Sequence, residues 1–258
     1  MNLELPAATL LAVLLATVRA SAWLAVAPPF NTRAIPGTVK VALALALALP
    51  VGPRLAHQVP ALELLPLIGA VLYQVVVGLA LGFLAQLLFS AIQAAGELID
   101  LASGFTLASL YDPLSNVSSS MFGRLQQLLA VTLLFALNGH LLLVRGFLTS
   151  FDVVPLHAIG VGDLAHIVTT DVGRFFVAAL EIAAPVVVVL FLAELALGMV
   201  SRAVPSLNVF AMSFPLKILL TLSIASVAIA LLPGAVSTLV DRISTDVGSA
   251  LRMLGAAS

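Results

Sequence analysis

Six long apolar stretches, separated by short polar interruptions, dominate the pattern along the chain. The first runs from about Ala7 to Ala27 with one internal charge, Arg19; the second, from Val39 to Pro53, alternates Ala and Leu between Lys40 and Arg54. The third covers Leu64 to Ala95, the fourth Leu125 to Val144, the fifth Phe175 to Val200 with Glu181 and Glu194 inside it, and the sixth Val209 to Leu232. The alternation over 41–49 has the period of a strand, but Ala and Leu are strong helix formers and neither is β-branched, so a helix is expected. Apolar runs of this length cross lipid only as helices, which satisfy their own backbone hydrogen bonds. The expected class is therefore an all-α membrane protein.

The lengths do not all suit a bilayer. A hydrocarbon core of about 30 Å takes roughly 20 helical residues. Between Lys40 and Arg54 lie only residues 41–53, and the uncharged run after Glu63 continues to Ala95. The short stretch reads as buried or re-entrant, and the long one has to tilt, bend or protrude. Turn chemistry places loops at 28–38, 96–124, 149–173 and 201–208. After Pro233, Val236, Leu239, Val240, Ile243, Val247, Leu251 and Leu254 recur at helical spacing with Asp241, Arg242, Asp246 and Arg252 beside them. That pattern predicts an amphipathic helix over about 234–255, suited to a membrane surface, a partner or the protein's own body. The first stretch lacks a basic n-region and has Pro28 after its one A-x-A site, so it is expected to stay in the mature chain.

Composition agrees with the pattern. Of 258 residues, 62% are hydrophobic and 9% charged, against about 25% charged in soluble domains. The 11 Lys+Arg and 12 Asp+Glu leave a net charge of -1, which gives no electrostatic footprint for nucleic acid. Basic residues fall evenly on the two sides of a six-span arrangement, so the positive-inside rule sets no orientation. With no cysteine, thiolate metal sites, iron–sulfur clusters and cysteine nucleophiles are excluded.

Few residues offer chemistry. Tyr111-Asp112 and Gly160-Val161-Gly162-Asp163 look like the paired signatures of intramembrane aspartyl proteases, whose two carboxylates share a proton to activate water. Pro113 and the serine run after it place Asp112 in a loop, and Asp163 is read in the same way, which favours turn and cap roles. His57, His140, His157 and His166 show no metal-ligand spacing, and no nucleophile elbow occurs, so no metal, cofactor or catalytic residue is assigned. Arg19, Glu181, Glu194 and Lys217 are the ionisable groups within apolar stretches. Such groups face partners or cavities, and they are read as helix-packing or subunit contacts. Gly78 and Gly82 form a small-xxx-small face that admits a close helix neighbour. No repeat is evident, which weighs against an inverted-repeat transporter.

The loop residues, taken in order, carry a resemblance. Arg19 with Pro28, Pro29 and Phe30; Gly96-Glu97-Leu98-Ile99-Asp100 leading to Gly104-Phe105; Asp112-Pro113; Asn138-Gly139-His140; Ser150-Phe151 with Pro155; Asn208-Val209-Phe210; and Pro215-Leu216-Lys217 occur in sequence. This series resembles the FliR family of flagellar export-apparatus proteins, whose virulence-secretion counterpart is SctT. One departure is Ser206, where the family pattern usually has Gln.

The resemblance implies a single export-gate domain over 1–258 in the bacterial inner membrane, crossing it several times. It implies assembly with FliP and FliQ into a pore for unfolded export substrates, beside FlhB and FlhA, with lipid around it and no enzymatic activity. The family pushes much of its gate out of the membrane plane, which would explain the short and overlong helices. It also implies a plug loop, here about 105–122, in which Phe105, Leu107, Leu110, Tyr111, Asp112 and Pro113 form or shape an apolar constriction. The competing classes are a secondary transporter for a small solute and the aspartyl protease.

Overall fold

The computed structural model describes residues 6–105, 120–156, 162–204, 212–224 and 229–238. All regular structure among the described residues is helical: α1 (Ala7–Val26), α2 (Gly37–Ala48), α3 (Gly52–Leu55, continued by a 3-10 turn to Gln58), α4 (Leu64–Ser103), α5 (Met121–Ala136), α6 (Gly139–Val153) and α7 (Gly162–Ala203). Two more, α8 (Met212–Ile224) and α9 (Ile229–Thr238), follow. The all-α membrane class is what the structure has. Three helical segments, Ala7–Val26, Leu64–Ser103 and Val172–Ala203, are long and apolar enough to cross a membrane, and bent pairs bring the number to as many as six.

Several expected boundaries move. The stretch 39–53 is two helices, α2 and α3, bent by 62°, and Pro53 sits at the start of the second, where its missing N–H costs nothing. The expected loop 96–124 is helix at both ends, because α4 continues to Ser103 and α5 begins at Met121. Glu97 and Asp100 read as loop polarity, but both remain on α4, with Glu97 accepting from Gln93 one turn earlier. The loop 149–173 shrinks in the same way, since α6 runs to Val153 and α7 starts at Gly162, which places Asp163 and His166 on a helix. The fourth stretch, 125–144, is broken at Leu137 and Asn138. The tail helix begins at Ile229 and takes in Pro233, and the rest of the amphipathic stretch, 239–255, lies outside the described residues.

Contacts divide the chain into two compact units, one from residues up to Leu87 together with Asn138–Val172, the other from Leu88–Leu137 with Gly173–Thr238. In the first unit α1 supplies Leu15, Ala16, Ala20, Trp23 and Leu24 to the core. Its Trp23 ring stacks on Phe147 of α6 at 4.6 Å, and Phe147 meets Phe151 edge-on at 5.3 Å. In the second unit, Ala95 and Ile99 of α4 pack with Phe122 of α5 and with Ala183, Val186 and Leu190 of α7.

Asn138, ahead of α6, has φ 56 and ψ 19, the left-handed conformation. A β-carbon there costs roughly 1–2 kcal/mol, which glycine avoids and asparagine tolerates. Asn138→Ala is expected to lower the thermal aggregation midpoint of the detergent-solubilised protein, while Asn138→Gly leaves it within error of wild type. Equal midpoints for the two variants would remove backbone conformation as the reason for asparagine here.

Candidate functional site

Two buried polar knots organise the two units. The first is built around Arg19, which has 0% of its surface exposed in the middle of an apolar helix. A guanidinium carries five N–H donors and does not give up its charge in proteins. Here all five meet acceptors. Nε donates to Oε1 of Gln74 at 2.5 Å. One terminal nitrogen donates to the Ser150 carbonyl at 3.0 Å and to the Ser150 hydroxyl at 3.3 Å. The other donates to the carbonyls of Val154 at 2.9 Å and Pro155 at 3.2 Å. Gln74, itself fully buried on α4, donates from Nε2 to the carbonyls of Pro155 at 3.3 Å and Leu156 at 3.0 Å.

The physical reason for this knot is the end of α6. The last carbonyls of a helix have no intrahelical donor, and together they hold about half a negative charge. Pro155 supplies no N–H to continue the ladder. The buried cation is therefore matched by a helix terminus, and Phe151 contributes its ring face 4.4 Å from the guanidinium carbon. α1 and α4 come close enough for this because Gly78 and Gly82 face α1. A Cβ on Gly78 would overlap the Arg19 carbonyl, and one on Gly82 would sit 3.0 Å from the Trp23 carbonyl.

The second knot, in the other unit, is built around Asp100 of α4, 1% exposed. Its Oδ2 accepts from the Ser120 hydroxyl, from the Phe122 N–H at 2.9 Å and from the Gly123 N–H at 3.4 Å. Ser120 caps α5, its hydroxyl oxygen accepting from the Gly123 N–H at 2.8 Å. Gly96 and Gly123 bring α4 and α5 into backbone contact, since a Cβ on Gly96 would lie 2.6 Å from the Gly123 Cα. Gly104, at φ +87, ends α4, and the rings of Phe105 and Phe122 lie 5.8 Å apart. The knot thus sits where the chain leaves for, and returns from, residues 106–119.

Of the residues singled out in the sequence, Phe105 packs against the core of the second unit. Leu107, Leu110, Tyr111, Asp112 and Pro113 lie outside the described residues. Glu194 and Lys217 form an ion pair of 3.1 Å between α7 and α8, and Glu181 is exposed on α7. Sequence reasoning assigned no role to Gln74 or Asp100. The signal for Gln74 was a lone amide in a long uncharged run, and for Asp100 a carboxylate inside an otherwise apolar helical period. Large apolar side chains stay uncovered on α4 and α7, among them Leu64, Leu65, Phe176, Phe191 and Met199, a surface suited to lipid or to other subunits.

Comparison with known proteins gives a consistent answer. A family described as bacterial export proteins, family 1, matches residues 10–243. The flagellar biosynthetic protein FliR of Escherichia coli is 32% identical over 209 residues, which is 80% of this chain and 80% of that protein. The protein of the same name from Bacillus subtilis is 33% identical over 212 residues, 80% of this chain and 82% of its own length. The Yop proteins translocation protein T of Yersinia pestis is 33% identical over 178 residues, 66% of this chain and 67% of that protein.

Proposed function

This chain belongs to the bacterial export proteins, family 1, a membrane component of the flagellar or type III export apparatus, and from that premise we propose that it is a structural and gating subunit of the export gate. On this reading it acts in the inner membrane as one domain, forms a protein-conducting pore with FliP-like and FliQ-like subunits beside FlhB-like and FlhA-like ones, and passes unfolded substrates. Residues 105–122 supply the plug. The observation that carries the reading is the family match across residues 10–243.

The helix lengths support it. At 1.5 Å per residue, the 40 residues of α4 and the 42 of α7 span about 60 Å each, twice a hydrocarbon core of about 30 Å. Their exposed apolar side chains need cover beyond what lipid alone can reach, and other subunits of an assembly provide it. The two flagellar relatives named above match more of this chain than the translocation protein does, and we read the apparatus as flagellar.

The test is purification from mild detergent of the tagged full chain expressed with its neighbouring export genes. A stable complex retaining two other small hydrophobic subunits is expected. A chain that runs alone as a monodisperse species and transports a small solute in liposomes would overturn the gate reading in favour of a transporter.

A further inference from the structure

We propose that Asp100 is a positioning residue, whose carboxylate fixes the points at which the chain leaves α4 and re-enters α5, giving residues 106–119 a rigid base. The inference rests on the reading of 105–122 as the pore-facing segment and names what holds its ends.

Local capping does not account for Asp100. Ser120 already satisfies the Gly123 N–H from within its own turn, as an ordinary N-cap does. Asp100 lies twenty positions earlier on another helix, yet the same oxygen takes the Ser120 hydroxyl and the Phe122 and Gly123 N–H groups. A carboxylate that is 1% exposed is costly to desolvate unless it is well hydrogen-bonded. Here the positive end of α5 and the hydrogen bonds it donates offset that cost, and both require the two helices to stay together. If they part, a buried anion loses its donors and a helix N-terminus loses its acceptor.

The backbone is shaped to the same end. Gly96 and Gly123 remove the side chains that would hold α4 and α5 apart, and the glycine contact lies one turn from Asp100, within reach of its side chain. Beyond the carboxylate, Phe105 and Phe122 meet ring to ring. Glycine contact, carboxylate and aromatic pair therefore lie in succession at the junction of α4 and α5.

The absence of cysteine from the chain allows a clean test within the complete apparatus in cells. Asp100→Asn keeps the shape but not the charge. It is expected to leave the amount of assembled complex at wild type while raising small-solute permeability and lowering export several-fold. The double variant Asp100→Cys, Ser120→Cys is expected to behave likewise when reduced. Oxidation with copper phenanthroline, which joins α4 to α5 covalently, is expected to return permeability and export toward wild type. Export blocked by oxidation would show that the helices must separate here and would overturn the proposal. Wild-type permeability and export in Asp100→Asn would do the same, as would loss of the complex in both Asp100→Asn and the oxidised double variant, which leaves Asp100 a folding role alone. Deleting 107–114 tests the plug reading separately, because the effect of oxidation on export is read whether or not that deletion leaks.

Discussion

Arg19→Ala is expected to remove most of the protein from the membrane fraction. The substitution deletes five hydrogen bonds and strands the Val154 carbonyl and Oε1 of Gln74, while the Ser150 carbonyl keeps the Val154 N–H at 2.9 Å. The Pro155 carbonyl likewise retains a donor in Gln74 at 3.3 Å. Each buried acceptor left without a donor costs about 1–3 kcal/mol, and two of them, added to the packing lost with the guanidinium, take a large part of the 5–15 kcal/mol by which whole domains are stable. Arg19→Lys keeps a charge beside the end of α6, but an ammonium presents three donors from one point and does not reproduce the guanidinium fork. It should accumulate to an intermediate level. Gln74→Leu should be milder than Arg19→Ala, and the double variant less damaging than the sum, because both side chains serve the same carbonyls. The measurement is full-length protein in washed membranes by immunoblot. Wild-type abundance of Arg19→Ala would show that α6 holds its end by other means.

The outcome bears on how much of the molecule is legible in its sequence. Helix class is a local property, and the apolar runs announce it: the first run ends within a residue of α1, whereas the second, fourth and sixth runs each break into two helices, with α2 and α3 bent by 62°. Helix ends inside polar motifs were harder to see. Asp100 looks like loop chemistry because a carboxylate is rare on a buried helix, and the donors that make it tolerable come from Ser120, Phe122 and Gly123, distant in sequence. Arg19 stood out as a charge in an apolar run, yet its acceptors lie 131–136 positions away, and no periodicity encodes such a pairing. Some of the segments that carry the family resemblance nevertheless meet other parts of the chain within their own unit. Arg19 touches Ser150, Phe151 and Pro155, while Gly96, Asp100 and Phe105 gather at the start of α5. Three of the seven motifs thus supply contact points of the two knots. What the isolated sequence lacks is the partner of each.

Deleting residues 107–114 is expected to leave assembly intact and to raise the permeability of the membrane to small solutes by an order of magnitude. Assembly should survive because the deleted residues lie between ends that already touch. The Ser120 hydroxyl donates to Asp100, and the Phe105 and Phe122 rings are 5.8 Å apart. The six residues remaining of 106–119 reach about 20 Å when extended, ample for so short a gap, and shortening a loop changes its closure entropy only slightly. Permeability should rise because Leu107, Leu110 and Tyr111 are the apolar groups that the plug reading places in the pore, and hydrophobic constrictions close a channel by excluding water. A variant retaining the length but replacing these three by serine separates the terms: it should leak as the deletion does if apolar closure is what matters. The readout is uptake of a small hydrophilic dye or growth inhibition by a normally excluded solute, with the amount of complex measured in parallel. Unchanged permeability in both variants, with complex at wild-type level, would remove the gating role from this segment and leave the chain a purely structural part of the export gate.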